Sequence, residues 1–308
     1  MKLAMGKLLR NTLGKPLSLR KLNSRIIHLP DDLLNPDGFL LIAGTVESDI
    51  WPAVYMANAL QTEFPKKILT VICSRRDNEL FNMLRLRPSV HSYSGHPEIP
   101  DTIEGKSFSD GTVLVYPYAN VNSKMERLLG STSCGIRMAP VNHSSPYINF
   151  RIKTESDIYP DILLEMCNAV GITFDPNWKP SLPRKVEKAA ERMMAPVSGR
   201  MLPYIVTTSS AISILEKSRA EIPLRTISLS GRNCDFTTLD RDVKTAIIAD
   251  ASAVITDSDD IWGDACAFGV PVVGLDKSNS FIKWTGGEPA SNESDFVEAW
   301  VKLLKKGW

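Results

Sequence analysis

At 308 residues the chain is too long for one comfortable hydrophobic core and suits two domains, while 43% hydrophobic and 23% charged residues exclude disordered and fibrous classes. The formal net charge is +1, yet Lys2, Lys7, Arg10, Lys15, Arg20, Lys21 and Arg25 all precede the first acid, which leaves 29 basic against 35 acidic residues, a net of −6, for the remainder. An acidic body without interleaved basic and aromatic residues argues against nucleic acid as a partner, and no apolar run reaches the roughly 18 residues of a membrane-spanning helix.

Residues 1–25 form a basic arm in which Leu3, Leu8, Leu9, Leu13 and Leu17 alternate with the cations. Such a segment either lies in the interface of an anionic membrane or stays solvated, and both readings are open. Gly6, Lys7, Arg10 and Asn11 interrupt the apolar stretch that a signal peptide needs. The expectation is a cytoplasmic body, resting through its arm on the inner face of the cell membrane if the first reading holds.

From residue 38 the periodicity alternates. GFLLIAG (38–44) is a buried-strand run, SDIWPAVYMANALQTEF (48–64) has helical spacing, and KILTVIC (67–73) is again a strand. This is a βαβ unit with a parallel sheet and a right-handed crossover. TVLVYP (112–117) and GIRMAP (135–140) continue the strands, and residues 155–171 form a helix with Gly171 as its C-cap. Pro176, Pro180 and Pro183 mark a linker. The alternation then restarts, with strands at 203–208, 224–229, 252–257 and 271–275. Helices are expected over 209–219, over 239–250 with Thr237 and Asp240 as a capping box, over the segment after Asp257, and over 295–308. The predicted fold class is therefore α/β, two Rossmann-like doubly wound lobes with an interdomain cleft, divided into 26–180 and 181–308 after the arm.

Cys73, Cys134, Cys167, Cys234 and Cys266 are scattered, and His28, His91, His96 and His143 have no ligand spacing, so no metal site is expected. Two such lobes place ligands at the carboxyl ends of their strands. The loops after residues 44, 207, 230 and 256 are the ones to examine. TDSDDIWGDACAFGVPVVGL (256–275) poses a difficulty there: a strand-to-helix turn of this kind usually offers N–H groups to phosphate, but this one carries four aspartates.

The segment GTVESDIWPAVYMANALQTEFPKKILTVI resembles the amino-terminal region of glycosyltransferase family 9, the heptosyltransferases, through Asp49, Ala57, Ala59, Leu60, Phe64, Pro65 and the strand from Ile68. GIRMAP with residues 150–172, and residues 228–275, are similar to the family's middle and donor-side regions. The resemblance implies a GT-B architecture and a nucleotide-diphosphate sugar donor such as ADP-heptose bound mainly by the second lobe. It implies further a glycan or lipid-linked acceptor, no required metal or cofactor, and a role in lipopolysaccharide or other cell-envelope glycan synthesis. It makes Asp49 the candidate general base, with the cap of its helix as the alternative. Thr207 and Thr208 match a pair that touches the donor phosphates, and Asp257, Ser258 and Asp264 fall in the donor-side signature.

Several positions depart from that pattern. Ser48 replaces a glycine, Ile212 stands near a usual lysine, and a usual histidine is missing after Ser258. The spacing from Asp257 to Gly269 is one residue longer, which is similar to sugar-nucleotide 2-epimerases, whose paired acids fall at Gly263 and Asp264. Two unit charges about 4 Å apart repel by about 4 kcal/mol at an effective dielectric near 20, so Asp259 and Asp260 do not both touch a bare diphosphate. They either complement the helix dipole, or hydroxyls are recognised at Asp257 and Asp264, or the site no longer takes a sugar nucleotide. Trp262 is a candidate sugar platform or a core anchor. WTGGE (284–288) reads as a turn. Three functions follow: a glycosyltransferase, a noncatalytic GT-B-like binding or assembly protein, and an epimerase-like enzyme.

Overall fold

The computed structural model describes residues 33, 35–43, 50–83, 88–93, 102–103, 106–118, 123–140, 145–198, 203–208, 211–212, 225–229, 239–275, 287–290 and 293–305. The basic arm, Asp49, Thr237, Trp284 and Trp308 lie outside them.

In the first lobe β1 (Gly38–Ile42), α1 (Trp51–Glu63) and β2 (Ile68–Ser74) make the expected βαβ unit. They are followed by α2 (Asn78–Met83), β3 (Ser89–Tyr93), the hairpin of β4 (Thr102–Ile103) and β5 (Lys106–Ser107), β6 (Thr112–Val115), α3 (Ser123–Ser131), β7 (Ile136–Pro140), β8 (Phe150–Ile152) and α4 (Tyr159–Ala169). The six main strands are parallel, in the order β3-β2-β1-β6-β7-β8. With the hairpin set aside, this is the doubly wound order in which the sheet grows outward on both sides of its first strand. Gly171 ends α4 at φ +73, and the Ile172 N–H reaches back to the Cys167 carbonyl at 2.9 Å, the cap that the sequence places there.

The second lobe contains α5 (Arg184–Ser198), β9 (Tyr204–Thr207), β10 (Arg225–Ser228), α6 (Arg241–Ala249), β11 (Ala253–Thr256), α7 (Asp259–Phe268), β12 (Val272–Leu275), β13 (Gly287–Ala290) and α8 (Glu293–Lys305). Its strands are parallel in the order β10-β9-β11-β12-β13, the other common doubly wound arrangement. Side chains alternate across this sheet. Val206, Val254 and Val272 join a core that continues into the first lobe, while Ile205, Ala253, Ile255 and Val273 pack under Phe296 and Trp300 of α8.

Two expectations change. WTGGE is not simply a turn, because Gly287 and Glu288 pair with Val272 and Val273 as the edge strand β13. The capping box at Thr237 and Asp240 is displaced as well: Asp240 itself stands at the N-cap of α6, in extended conformation at φ −60 and ψ 149, with no side-chain cap bond. α5 carries too many charges to stand out by apolar period alone, and it lies on the second lobe against α6.

α1 has a burial pattern that its own lobe does not account for. Trp51 through Ala57 are buried without interruption, so the helix is covered on all sides at its start. The cover comes from β1, β2 and α4 of its own lobe and from α7 of the other. No helix among the described residues is long and apolar enough to cross a membrane.

Candidate functional site

Ligands of open α/β sheets bind beyond the carboxyl ends of the strands, where the strand order reverses. In the first lobe β1 and β6 flank that point. β1 runs out at Ala43, the chain returns at Ile50 to begin α1, and the buried Tyr116 and Tyr118 follow β6. Asp49 precedes Ile50 directly in the chain. In the second lobe β9 and β11 flank the reversal, which puts Thr207 and Thr208 beside Thr256, Asp257 and Ser258. Of the four strands whose ends the sequence singled out, β1, β9 and β11 flank the switch points and β10 neighbours β9.

The threonine pair is enclosed. Thr207 is 0% and Thr208 1% exposed. The Thr207 hydroxyl donates to the Thr208 carbonyl at 3.1 Å, and the Thr208 N–H donates to the Ile255 carbonyl at 3.3 Å. Asp257 is exposed and Ser258 half-buried. The Ser258 N–H donates to the Thr256 hydroxyl at 2.9 Å, and Ser258 stands at the N-cap of α7 without a side-chain cap bond. Asp259 and Asp260 occupy the first turn of α7, where carboxylates complement the helix dipole.

Asp264, one turn further along α7, is fully buried, and its carboxylate is surrounded by donors. The Arg241 guanidinium at the first position of α6 grips it with a fork, Nη1 to Oδ2 at 2.5 Å and Nη2 to Oδ1 at 2.6 Å. The Thr245 hydroxyl donates to Oδ2 at 3.0 Å. From the first lobe the Trp51 indole N–H donates to Oδ1 at 2.9 Å. Both oxygens of this α7 residue are thus committed to protein groups on two other helices, α6 and α1. Burial pushes the Asp264 carboxyl up from its usual range, against the pull of Arg241 and the hydrogen bonds of Trp51 and Thr245. Burial works to lower the Arg241 value, and the charge and hydrogen bonds of Asp264 together with the charges of Asp260 and Asp77 hold the guanidinium above its ordinary value.

The seam between the lobes extends from this point. The Trp51 ring meets Phe268 edge-on at 5.5 Å between centroids. One turn along α1, the Tyr55 hydroxyl donates to the Ala267 carbonyl at 3.2 Å, and its ring stands edge-on to Trp178 at 5.1 Å. At the mouth of α7, Arg76, which follows β2, grips Asp260 with Nη1 at 2.9 Å and Nη2 at 3.0 Å. α2 packs against α6 beside it. There the Glu79 carboxyl is pushed up, first by burial and then by the charges of Asp242 and Asp240.

The four aspartates therefore have different assignments. Asp259 stands in the first turn, Asp260 also pairs with an arginine of the other lobe, Asp264 joins the lobes from within, and Asp257 faces solvent. Trp262 is 2% exposed and lies under β13, so closely that a β-carbon on Gly287 would overlap its ring. Among the described residues no group of His, Cys, Asp and Glu is arranged to hold a metal ion. Sequence reasoning missed Arg76, Arg241 and Thr245. Arg241 did leave a signal, since a cation at a helix N-terminus opposes the macrodipole and implies a carboxylate elsewhere.

No protein-family model matches the chain, and no curated protein sequence matches it. Solved structures do. A family 9 glycosyltransferase from Veillonella parvula superposes with a TM-score of 0.60 at 10% identity, covering 89% of this chain and 99% of the other. The ADP-heptose lipopolysaccharide heptosyltransferase II of Escherichia coli gives 0.57 at 10% identity, over 87% and 99%. An Escherichia coli heptosyltransferase solved with ADP gives 0.55 at 9% identity, over 87% and 97%. This chain has the two-lobed GT-B fold that the family 9 glycosyltransferases share, as the motifs around Asp49 and in 228–275 imply. At such identities the likeness establishes architecture, and chemistry rests on the residues.

Proposed function

We propose that the chain is a glycosyltransferase resembling the heptosyltransferases, which transfers a sugar from a nucleotide-diphosphate sugar to a glycan or lipid-linked acceptor. The observation that carries this reading is the coincidence of Thr207–Thr208, Asp257–Ser258 and the approach to α1 with the switch points of the two lobes. The fold is the one in which an Escherichia coli relative was solved with ADP. In this reading Asp49 accepts the acceptor hydroxyl proton as the sugar leaves its diphosphate. The donor is received beyond the strand ends that carry Thr207–Thr208 and Asp257–Ser258, at the start of α7. ADP-heptose is the first donor to test, the site at the inner membrane face is reached through the basic arm, and cell-envelope glycan is the product class.

A second reading has its own support. Thr207 and Thr208 are enclosed and Asp264 is saturated by protein donors, which suits a GT-B scaffold kept for binding or assembly without turnover. Calorimetric titration with ADP-, UDP- and GDP-sugars, followed by an assay for released nucleotide, separates the two. Binding with turnover that Asp49→Ala abolishes supports the transferase. Absence of binding by every nucleotide sugar sinks it and leaves the scaffold.

A further inference from the structure

Among the described residues, the start of α1 has little local support. Ile50, at its N-cap, makes no side-chain cap bond, no acid stands in the first turn, and Pro52 contributes no N–H. What fixes it is in the other lobe, where the indole of Trp51, the first helical residue, is held at 2.9 Å by Asp264. Asp264 is itself clamped by the Arg241 fork and by Thr245. It stands on the helix that begins at the second lobe's switch point, directly after Ser258.

We infer that Asp264 is a positioning residue: acting through Trp51, it sets where the first lobe's helix start stands against the nucleotide-binding wall of the second. The inference rests on the transferase reading and names a device within that site. Chain continuity gives it reach, since Asp49 immediately precedes Ile50 and consecutive Cα atoms are about 3.8 Å apart. A carboxylate that serves in this way does not recognise a sugar hydroxyl. It ties the helix start of one lobe to the other through a charge-assisted contact. The neighbouring Tyr55–Ala267 bond crosses the same seam one turn further from the helix start, so it holds the lobes without orienting that start.

Trp51→Phe tests the inference on the full chain, because it removes the N–H and keeps most of the ring against Phe268. Tyr55→Phe is its comparator. ADP binding is measured by calorimetry, turnover by ADP release from ADP-heptose, and the seam by amide exchange over residues 50–60. The expected result for Trp51→Phe is faster exchange in the first turn, ADP affinity and KM close to wild type, and kcat lowered roughly tenfold to a hundredfold. Tyr55→Phe is expected to retain kcat within about twofold. Equal loss in both variants, or unchanged exchange or kcat in Trp51→Phe, overturns the positioning role. If the wild-type protein neither binds ADP nor turns over, the transferase reading itself falls and takes the positioning role with it, whatever the exchange pattern.

Discussion

Asp264→Asn changes one atom type in the interior and tests whether the clamp is electrostatic. The substitution keeps the volume and leaves a carbonyl oxygen for the Trp51 indole, but removes the charge gripped at 2.5 and 2.6 Å by Arg241. Arg241 is only 10% exposed, so its guanidinium would remain charged and almost dry without a counterion. Breaking a buried pair in this way costs about 3–5 kcal/mol. A domain of ordinary stability has about 5–15 kcal/mol in total, so about a fifth or more would be lost. Equilibrium urea unfolding at pH 7, followed by tryptophan fluorescence, measures it. The double variant Arg241→Met with Asp264→Asn is expected to recover most of the loss, because no buried charge is then left unpaired and the amide oxygen still accepts from Trp51. A cost for Asp264→Asn below about 1 kcal/mol, or a double variant less stable than the single one, would refute the argument that this pair is dry and mutually required.

Arg76 is the cation that meets the acidic first turn of α7, and it is 41% exposed, so its pair with Asp260 is itself worth about 0–1 kcal/mol. Under the transferase reading Asp260→Asn tightens ADP binding by removing repulsion, Arg76→Ala weakens it, and adenosine binding is unaffected by either. Calorimetry with both ligands decides, and equal effects on the two would remove the diphosphate from this mouth. Gly269→Ala places a β-carbon at φ +69 and 2.7 Å from the Lys179 ammonium, and is expected to cost about 1–2 kcal/mol in urea unfolding. Burial pushes the thiols of Cys73, Cys134 and Cys167 up to about 12, whereas unfolded thiols ionise near 9. The folded protein thus retains protons that the unfolded chain releases, so these thiols reduce stability as pH rises above about 9, and leave it unchanged below. In native protein at pH 8 the half-buried Cys266 is expected to react with iodoacetamide before those three, and equal rates for all four would contradict the burial.

The elements legible in the sequence were those whose apolar period had a single interpretation. Residues 38–43, 69–73 and 112–117 are buried on both faces and read as continuous apolar runs, the expected form of a parallel strand. Gly171 marked a helix end because a left-handed residue closes one well, and Gly269 closes α7 in the same conformation. β13 passed for a turn because GGEP carries the chemistry of a turn, and only pairing with β12 makes it a strand. β3 and β8 are short, peripheral and partly exposed, so their period was weak. The acids of 257–264 raised the correct question, since their charges oppose a diphosphate, but the partners that answer it stand on other elements.

Local order was written in the chain itself: two alternations of strand and helix, the proline-marked junction, and threonine and aspartate residues at strand ends, all of which depend on neighbours within a few residues. Contacts such as Arg76 with Asp260, 184 residues apart, and Trp51 with Asp264, 213 residues apart, were decided only when the lobes folded against each other. The reason is physical. Hydrophobic period and capping act through local backbone geometry, whereas a buried carboxylate takes whatever donors the packed helices bring to it, and no spacing along the chain encodes which these are.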